Sequence, residues 1–401
     1  MRILQINSVA NSGSTGRIAE DIGKVLIEQG HESYIAYGRY SNPSRSQLIR
    51  IGNKVDVYSH GLVSLLLDRH GFASKKATID FIKKIDALKP DAIGLHNIHG
   101  YYLNIDILFK YLSKSQIPVL WAFYDCWNFT GHCSYFDKIG CDKWKTGCYQ
   151  CGLKHTYPTS LFVDNAKKNY EDKKRLFNSV DNIQLVVPSK WLEGLVRNSY
   201  LSDLPVHTIH TGIDMDVFKP NMIDVRRKYN IQGQKVVLGC ANIWNARKGL
   251  ADFISLRNQL DKKYDIVLVG LSRKQIGQLP DGIKGIERTE NVAELAALYS
   301  MADVFVNPTW ADNFPTTNIE ALACGTPVIT YDTGGGPESI DENTGYIVEK
   351  NHKEKLADAV LSILTNDREK YKERCVLRAQ SLFDKQNRYN DYINLYKNMI
   401  G

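Results

Sequence analysis

The sequence predicts an α/β protein made of two doubly wound halves. Three observations carry this. Short apolar runs alternate with amphipathic helical patterns from end to end. The runs are unbroken rather than alternating, as in parallel strands buried on both faces. The pattern is interrupted between Tyr200 and Asn221, where Pro205 and Pro220 fall. At 401 residues the chain is long enough for two domains of ordinary size. The expected domains are 1–205 and 206–385, with a final helix at about 386–401 packing back on the first.

Each element follows from its pattern. Ile3–Asn7 is an apolar strand, and Asn11–Gly16 is a Gly/Ser turn. Ile18, Ile22, Val25 and Leu26 recur at helical spacing, and Gly30 supplies the stop. Ser33–Tyr37 is the next strand, followed by helix Ile79–Leu88, strand Ala92–Leu95, helix Ile105–Leu112 and strand Val119–Phe123. Gln184–Val187 closes the first half. In the second half the strands are Lys235–Cys240, Asp265–Val269, Val304–Asn307, Pro327–Thr330 and Tyr346–Val348. Helices Leu250–Leu260, Val292–Ser300, Thr316–Cys324 and Lys353–Leu364 lie between or after them. Two such halves place a ligand cleft at the carboxyl ends of both sheets.

Composition narrows the class. Hydrophobic residues are 43% and charged residues 24%, which excludes a disordered or coiled-coil chain. The net charge of +7 is uneven: residues 1–205 hold 26 basic and 19 acidic side chains, and residues 206–401 hold 25 of each. The first half is therefore expected to face something acidic, such as an anionic lipid surface. Lys75, Lys76, Lys83 and Lys84 cluster around one predicted helix there. No basic stripe interleaved with aromatics marks a nucleic-acid binder. The opening MRILQIN reads as a strand rather than an export signal, and the longest apolar stretch, Gly61–Leu67, is too short to span a bilayer. A cytoplasmic protein is expected, with possible peripheral contact with the membrane's inner face.

Neither a G-x-G-x-x-G nor a G-x-x-x-x-G-K-[ST] loop is present, which disfavours dinucleotide and P-loop chemistry. Gly13 and Gly16 still open a helix N-terminus suited to an anion or a sugar hydroxyl. The most telling segment is ELAALYSMADVFVNPTWADNFPTTNIEALACGTPVITYDTGGGPE, residues 294–338. It reads as helix, strand, polar loop, helix, strand and Gly-rich turn. Asp312 lies in the loop and Glu320 eight residues later in the helix, while Asn313, Phe314, Thr316 and Thr317 lead into that helix. Backbone amides at such a start can hold a diphosphate, while two carboxylates accept vicinal hydroxyls.

This segment resembles the retaining family-4 glycosyltransferases of GT-B fold. Two acids separated by seven residues, then EALACGTPVI, are similar to the family's hallmark, with Asp312 where Glu is usual. The Asp-Asn-Phe-Pro variant resembles colanic-acid-type and capsule-type transferases. His210-Thr211-Gly212-Ile213-Asp214 with Phe218, Val187-Pro188-Ser189-Lys190-Trp191 and Leu95-His96-Asn97-Ile98-His99-Gly100 carry the likeness across the chain. The resemblance implies a nucleoside-diphosphate sugar as donor, a UDP- or GDP-sugar, with Glu320 on ribose and Asp312 on the sugar. It implies Lys248, with Arg247 beside it, against the departing diphosphate, and Gly335 in the loop around it. Arg288 and Glu290 fall where a nucleobase is expected.

Where relatives carry a His-Asp pair, this chain has Tyr124-Asp125, followed by Trp127. Tyr124 is no neutral-pH base but can hydrogen-bond a sugar, and Asp125 then faces the acceptor together with His96, His99, Trp127 and His132. The implied reaction is a front-face substitution with retention, needing no catalytic cofactor, onto a glycan or lipid-linked oligosaccharide. Bacterial surface polysaccharide synthesis, such as capsule or exopolysaccharide, is the implied setting. Cys133, Cys141, Cys148 and Cys151 fall close enough in sequence to offer four thiolates to a structural zinc, with reduced, buried cysteines as the alternative. The rival readings are a non-catalytic sugar- or nucleotide-binding protein of the same fold, or another GT-B enzyme such as a nucleotide-sugar epimerase.

Overall fold

The computed structural model describes residues 1–366 and 368–401. The chain divides into two compact units. The N-terminal unit is Met1–Ile209 with Gln386–Gly401, and the C-terminal unit is His210–Lys385. Each is built around one parallel sheet.

The N-terminal sheet comprises β1 (Arg2–Asn7), β2 (Glu32–Tyr37), β3 (Gln47–Arg50), β4 (Ala92–Leu95), β5 (Val119–Ala122), β6 (Ile183–Val187) and β7 (Val206–Thr208). Their order is β3-β2-β1-β4-β5-β6-β7. The second sheet comprises β8 (Lys235–Cys240), β9 (Tyr264–Val269), β10 (Ile283–Ile286), β11 (Val304–Asn307), β12 (Val328–Tyr331) and β13 (Gly345–Val348). Their order is β10-β9-β8-β11-β12-β13. In each sheet the strand order reverses beside the first strand, between β1 and β4 and between β8 and β11. Loops leaving those carboxyl ends diverge to opposite faces and leave room for a ligand. Every residue of β4, β5, β9, β11 and β12 is buried, which explains their unbroken apolar runs.

Strands β3, β7 and β10 were not expected from the sequence, and all three are sheet edges. An edge strand packs on fewer neighbours, so QLIR, VHT and IKGI need no continuous apolar run. The last helix, Lys385–Ile400, buries Tyr389, Tyr392, Ile393 and Tyr396 at helical spacing. They pack in one cluster with Ile3, Ala92, Leu120 and Val186 of the N-terminal sheet. Gly94 makes room for this, since a Cβ there would lie 2.2 Å from the Tyr396 hydroxyl.

Candidate functional site

In the C-terminal unit, three loops at the switch point are tied together. Asn245 caps a short turn by accepting from the Arg247 amide at 3.0 Å. Gly249 takes φ +75° and opens helix Leu250–Arg257, and a Cβ there would meet the Pro308 carbonyl oxygen at 2.3 Å. The Arg247 carbonyl accepts from the Trp310 amide at 2.8 Å and the Thr309 hydroxyl at 3.2 Å. The Arg247 guanidinium donates to the Ala311 carbonyl. Buried Asp252 accepts from Trp310 Nε1 at 3.0 Å and Tyr331 Oη at 3.1 Å, which pins the 308–314 loop from behind. The third loop joins through Gly335, whose amide donates to the Asn313 carbonyl at 2.8 Å.

This stitching sets the charged groups. Lys248 Nζ lies 2.5 Å from Asp312 Oδ2, and Arg247 Nη1 lies 3.8 Å from the same oxygen. Asp312 Oδ1 accepts from the Asn313 amide at 3.0 Å. Lys248 and Asp312 side chains keep 21% and 18% of their exposure, so water or a ligand still reaches the pair. Gly334 packs against this loop at φ +56°, and a Cβ there would fall 1.6 Å from the Asp312 carbonyl oxygen. Helix Thr316–Ala323 starts just beyond, behind Pro315, with no side-chain cap on its N-terminus. Glu320 accepts from the hydroxyl of buried Tyr299 at 2.9 Å. Phe314 takes a different part: buried, it stacks on His210 at 4.9 Å between ring centres and packs on Phe383. Glu290 pairs with Lys228 at 2.8 Å, while Arg288 is exposed.

The N-terminal unit gathers its predicted residues at the ends of β1, β4 and β5. Gln5 Nε2 donates to the Ala19 carbonyl at 2.8 Å, which turns Gln5 Oε1 toward His96 Nε2 at 2.9 Å. The proton therefore sits on Nε2, and His96 Nδ1 accepts from the Tyr124 hydroxyl at 2.7 Å. Burial lowers His96 to about 3, so it stays neutral. The Tyr124 hydroxyl proton is thus spent inside the protein, among Tyr389, Tyr392 and Tyr396, and burial raises its pKa well above the ordinary value. His99 bridges Asp125 Oδ2 and Tyr157 Oη, both at 3.0 Å, and Asp125 Oδ1 accepts from the Trp127 amide at 2.9 Å. Burial pushes Asp125 up, but His99 and the Trp127 amide outweigh it and hold it below the ordinary carboxylate value. His132 Nδ1 meets Asp68 at 2.6 Å, with both side chains buried. Gly13, at φ +60°, and buried Gly16 open helix Gly13–Glu28, whose N-terminus has no side-chain cap.

The cysteine expectation needs correction. Cys133, Cys141, Cys148 and Cys151 do line one cavity of 260 Å³, together with Phe136 and Trp144. Among the described residues, however, no three His, Cys, Asp or Glu side chains are placed to hold a metal ion. Three of the thiols make other contacts. Cys148 accepts from the Gly131 amide at 3.1 Å, and Cys133 and Cys151 hold each other, with Cys151 drawn down to about 6 and Cys133 raised. Phe136 stacks on Trp144, 5.1 Å apart, with Phe129 beside them, and the stacked pair walls the cavity. The residues present do not fit a zinc site.

Other contributors carry no sequence signal of their own. Gln5, Tyr299 and Asp252 sit inside elements that read only as strand or helix. Lys173 is buried, donates to the Trp127 and Thr130 carbonyls at 2.7 and 2.9 Å, and is lowered to about 7 by burial. It holds the loop carrying Trp127 and His132. Gly334 alone was announced, by the run of three glycines.

Two parallel-sheet units, each with a switch point at the carboxyl ends of its strands, are the architecture of the GT-B class. Residues 234–366 match the family Glycosyl transferases group 1. The protein named in Escherichia coli as a colanic acid biosynthesis glycosyl transferase, WcaC, is 23% identical over 100% of both chains. N-acetyl-alpha-D-glucosaminyl L-malate synthase of Bacillus anthracis is 26% identical over 88% of this chain and 85% of its own. Among solved structures, sucrose-phosphate synthase from Thermosynechococcus elongatus superposes with TM-score 0.73 at 18% identity, covering 99% of this chain and 98% of its own. Anabaena HepE in complex with UDP-glucose superposes with TM-score 0.66 at 14% identity, covering 99% and 100%. The family match over residues 234–366, the full-length likeness to WcaC and the GT-B architecture together support a family-4 glycosyltransferase.

Proposed function

We propose that this enzyme moves a sugar from a nucleoside-diphosphate donor to a glycan or lipid-linked oligosaccharide, with retention, in bacterial surface polysaccharide synthesis. The observation that carries this is the Lys248–Asp312 pair, about a fifth open to solvent and held by three stitched loops beside an uncapped helix start. A lysine and helix amides suit a diphosphate, and a carboxylate beside them suits a sugar hydroxyl. Glu320, oriented by Tyr299, is the ribose ligand on this reading. The complex of HepE with UDP-glucose and the naming of WcaC support the donor class and the setting.

Asp125 and His99 are the acceptor-side pair. With both carboxylate oxygens engaged, Asp125 is ionised and fixed rather than a mobile base. The leaving phosphate then takes the acceptor proton, and the protein's part is to position substrates and neutralise charge. Tyr124 acts as a positioning residue through His96. The acceptor-bearing unit works at a membrane face, where lipid-linked glycans reside.

Thermal stabilisation by a panel of UDP- and GDP-sugars tests the donor reading. Transfer with the stabilising donor, followed by anomeric analysis of the product, tests retention. If no nucleotide or nucleotide sugar stabilises the protein, the reading fails.

A further inference from the structure

Helix Lys54–Leu67 of the N-terminal unit is built inside out. Its buried positions are polar: His60 bonds Ser74 Oγ at 2.8 Å and accepts from the Gly71 amide at 3.1 Å, and Ser64 bonds His70 at 3.1 Å. Its outward positions are apolar. Val55, Tyr58, Leu62 and Leu66 are 74%, 77%, 55% and 39% exposed. At 100° per residue they share one face within a narrow arc. Leu161 and Phe162 extend the patch, since the Leu161 amide donates to the Leu65 carbonyl at 2.9 Å and Phe162 is 76% exposed. Burying these groups against water is what the fold ordinarily does, and here it does the reverse.

The rim is cationic. Lys54 stands at one end of the stripe, with Lys75 and Lys76 opening the next helix, Lys75–Leu88. Gly52 brings that end together, its Cβ direction pointing at Ala77 at 2.9 Å. At the other end Asn165 Nδ2 donates to the Leu67 carbonyl at 2.7 Å, which sets Lys167 and Lys168 beside the stripe. Lys154 donates to the Phe162 carbonyl at 3.2 Å. Among the described residues, no salt bridge engages Lys54, Lys75, Lys76, Lys167 or Lys168, and all five are exposed. The one acid on the helix, Asp56, is spent in its capping box.

We propose that this face docks the enzyme on an anionic lipid bilayer, with Val55, Tyr58, Leu62, Leu66 and Phe162 entering the interface and the rim lysines meeting lipid phosphates. An apolar stripe flanked by unpaired cations is the chemistry of interfacial binding. The inference rests on the reading that the acceptor is presented at a membrane, and it names the surface that meets it. It also changes the expected contact: lysines of the 75–88 helix serve the rim, while the apolar helix before them makes the insertion.

The test is sedimentation of the full chain with vesicles of phosphatidylcholine alone or with about a third phosphatidylglycerol. The protein is expected to bind the anionic vesicles, and Tyr58→Ser/Leu62→Ser to weaken that binding by about tenfold or more. Because both side chains face solvent, the variant should keep the wild-type melting temperature and donor stabilisation, which excludes misfolding. Lys167→Glu/Lys168→Glu should weaken binding at low salt and less at high salt. Equal binding by wild type and Tyr58→Ser/Leu62→Ser overturns the proposal. So does a stripe that instead joins two copies, seen as a wild-type dimer made monomeric by that variant without vesicle binding. No donor or acceptor enters the assay, so failure of the acceptor reading alone would leave vesicle binding intact.

Discussion

Replacing Lys248 with Met separates what the Lys248–Asp312 pair does for folding from what it does for turnover. Both side chains keep about a fifth of their exposure, so the pair is only partly desolvated. Partly exposed pairs of this kind contribute about 1 kcal/mol to stability. The loss is cushioned further, because Arg247 lies 3.8 Å from the same Asp312 oxygen and the Asn313 amide holds the other. Met keeps the apolar stem. The expected fall in melting temperature is therefore about 2–4 °C for a unit of this size. The reaction loses more. A fixed cation against a departing diphosphate acts where charge develops, and removing such a group costs roughly 100- to 1000-fold in kcat. Steady-state transfer with the donor found by thermal stabilisation measures this, with kcat separated from KM. A kcat within about threefold of wild type would refute the role of Lys248. So would a loss of turnover matched by a large loss of melting temperature, since the pair would then be structural.

Three further outcomes follow from the same geometry. Glu320→Gln, which keeps the Tyr299 bond but removes the charge, is expected to weaken nucleotide binding about tenfold or more with little change in melting temperature, read by calorimetry. Gly334→Ala forces a Cβ to 1.6 Å from the Asp312 carbonyl oxygen at φ +56°, so stability should fall by at least about 2 kcal/mol and donor binding should suffer with it, both measured by denaturation with and without donor. His96 and His60 are lowered by burial to about 3 and about 4, below the ordinary 6.5. The unfolded chain binds those protons first, so stability is full above about 6.5 and is lost as pH falls toward 4, by about 2 kcal/mol per histidine at pH 5. His96→Gln should flatten that acid limb in a melting-temperature profile, and an unchanged profile would show that another group sets it.

How far the sequence could be read depends on what each residue packs against. Buried strands such as Ala92–Leu95 and Val304–Asn307 must be apolar on both faces, so their runs stand out and the alternation with helices follows. Edge strands escape that demand, and Gln47–Arg50, Val206–Thr208 and Ile283–Ile286 left no run to see. Helix Lys54–Leu67 was masked for the opposite reason: its apolar residues face outward, so its pattern gives no core stripe. At the site, spacing and resemblance drew Asp312, Glu320 and Lys248 together, but no spacing could announce Tyr299 behind Glu320 or Gln5 behind His96. Those contacts join elements distant in sequence. The cysteines misled because closeness in sequence was read as closeness to a shared ion, whereas among the described residues no three ligating side chains converge there and the thiols share the loop with packed aromatics.

The two units divide the chemistry in a way that bears on mechanism. In the N-terminal unit two histidines are closed on their neighbours at both ring nitrogens, His96 with Gln5 and Tyr124 and His99 with Asp125 and Tyr157, while His132 bonds Asp68 through Nδ1 and leaves its buried Nε2 without a partner. Breaking such a buried bond leaves an unsatisfied group and costs about 1–3 kcal/mol, so these residues shape a surface rather than trade partners. In the C-terminal unit Lys248 and Asp312 are paired but reachable. A pair worth about 1 kcal/mol can be exchanged for a phosphate on the lysine and a sugar hydroxyl on the carboxylate at little cost. On the proposed reading the pair keeps both charges oriented before the donor arrives, so that little reorganisation remains when the glycosyl bond breaks. On this account the Tyr124 that stands where a His is usual need not be a base. It secures His96, and in the proposed reaction the leaving phosphate takes the proton.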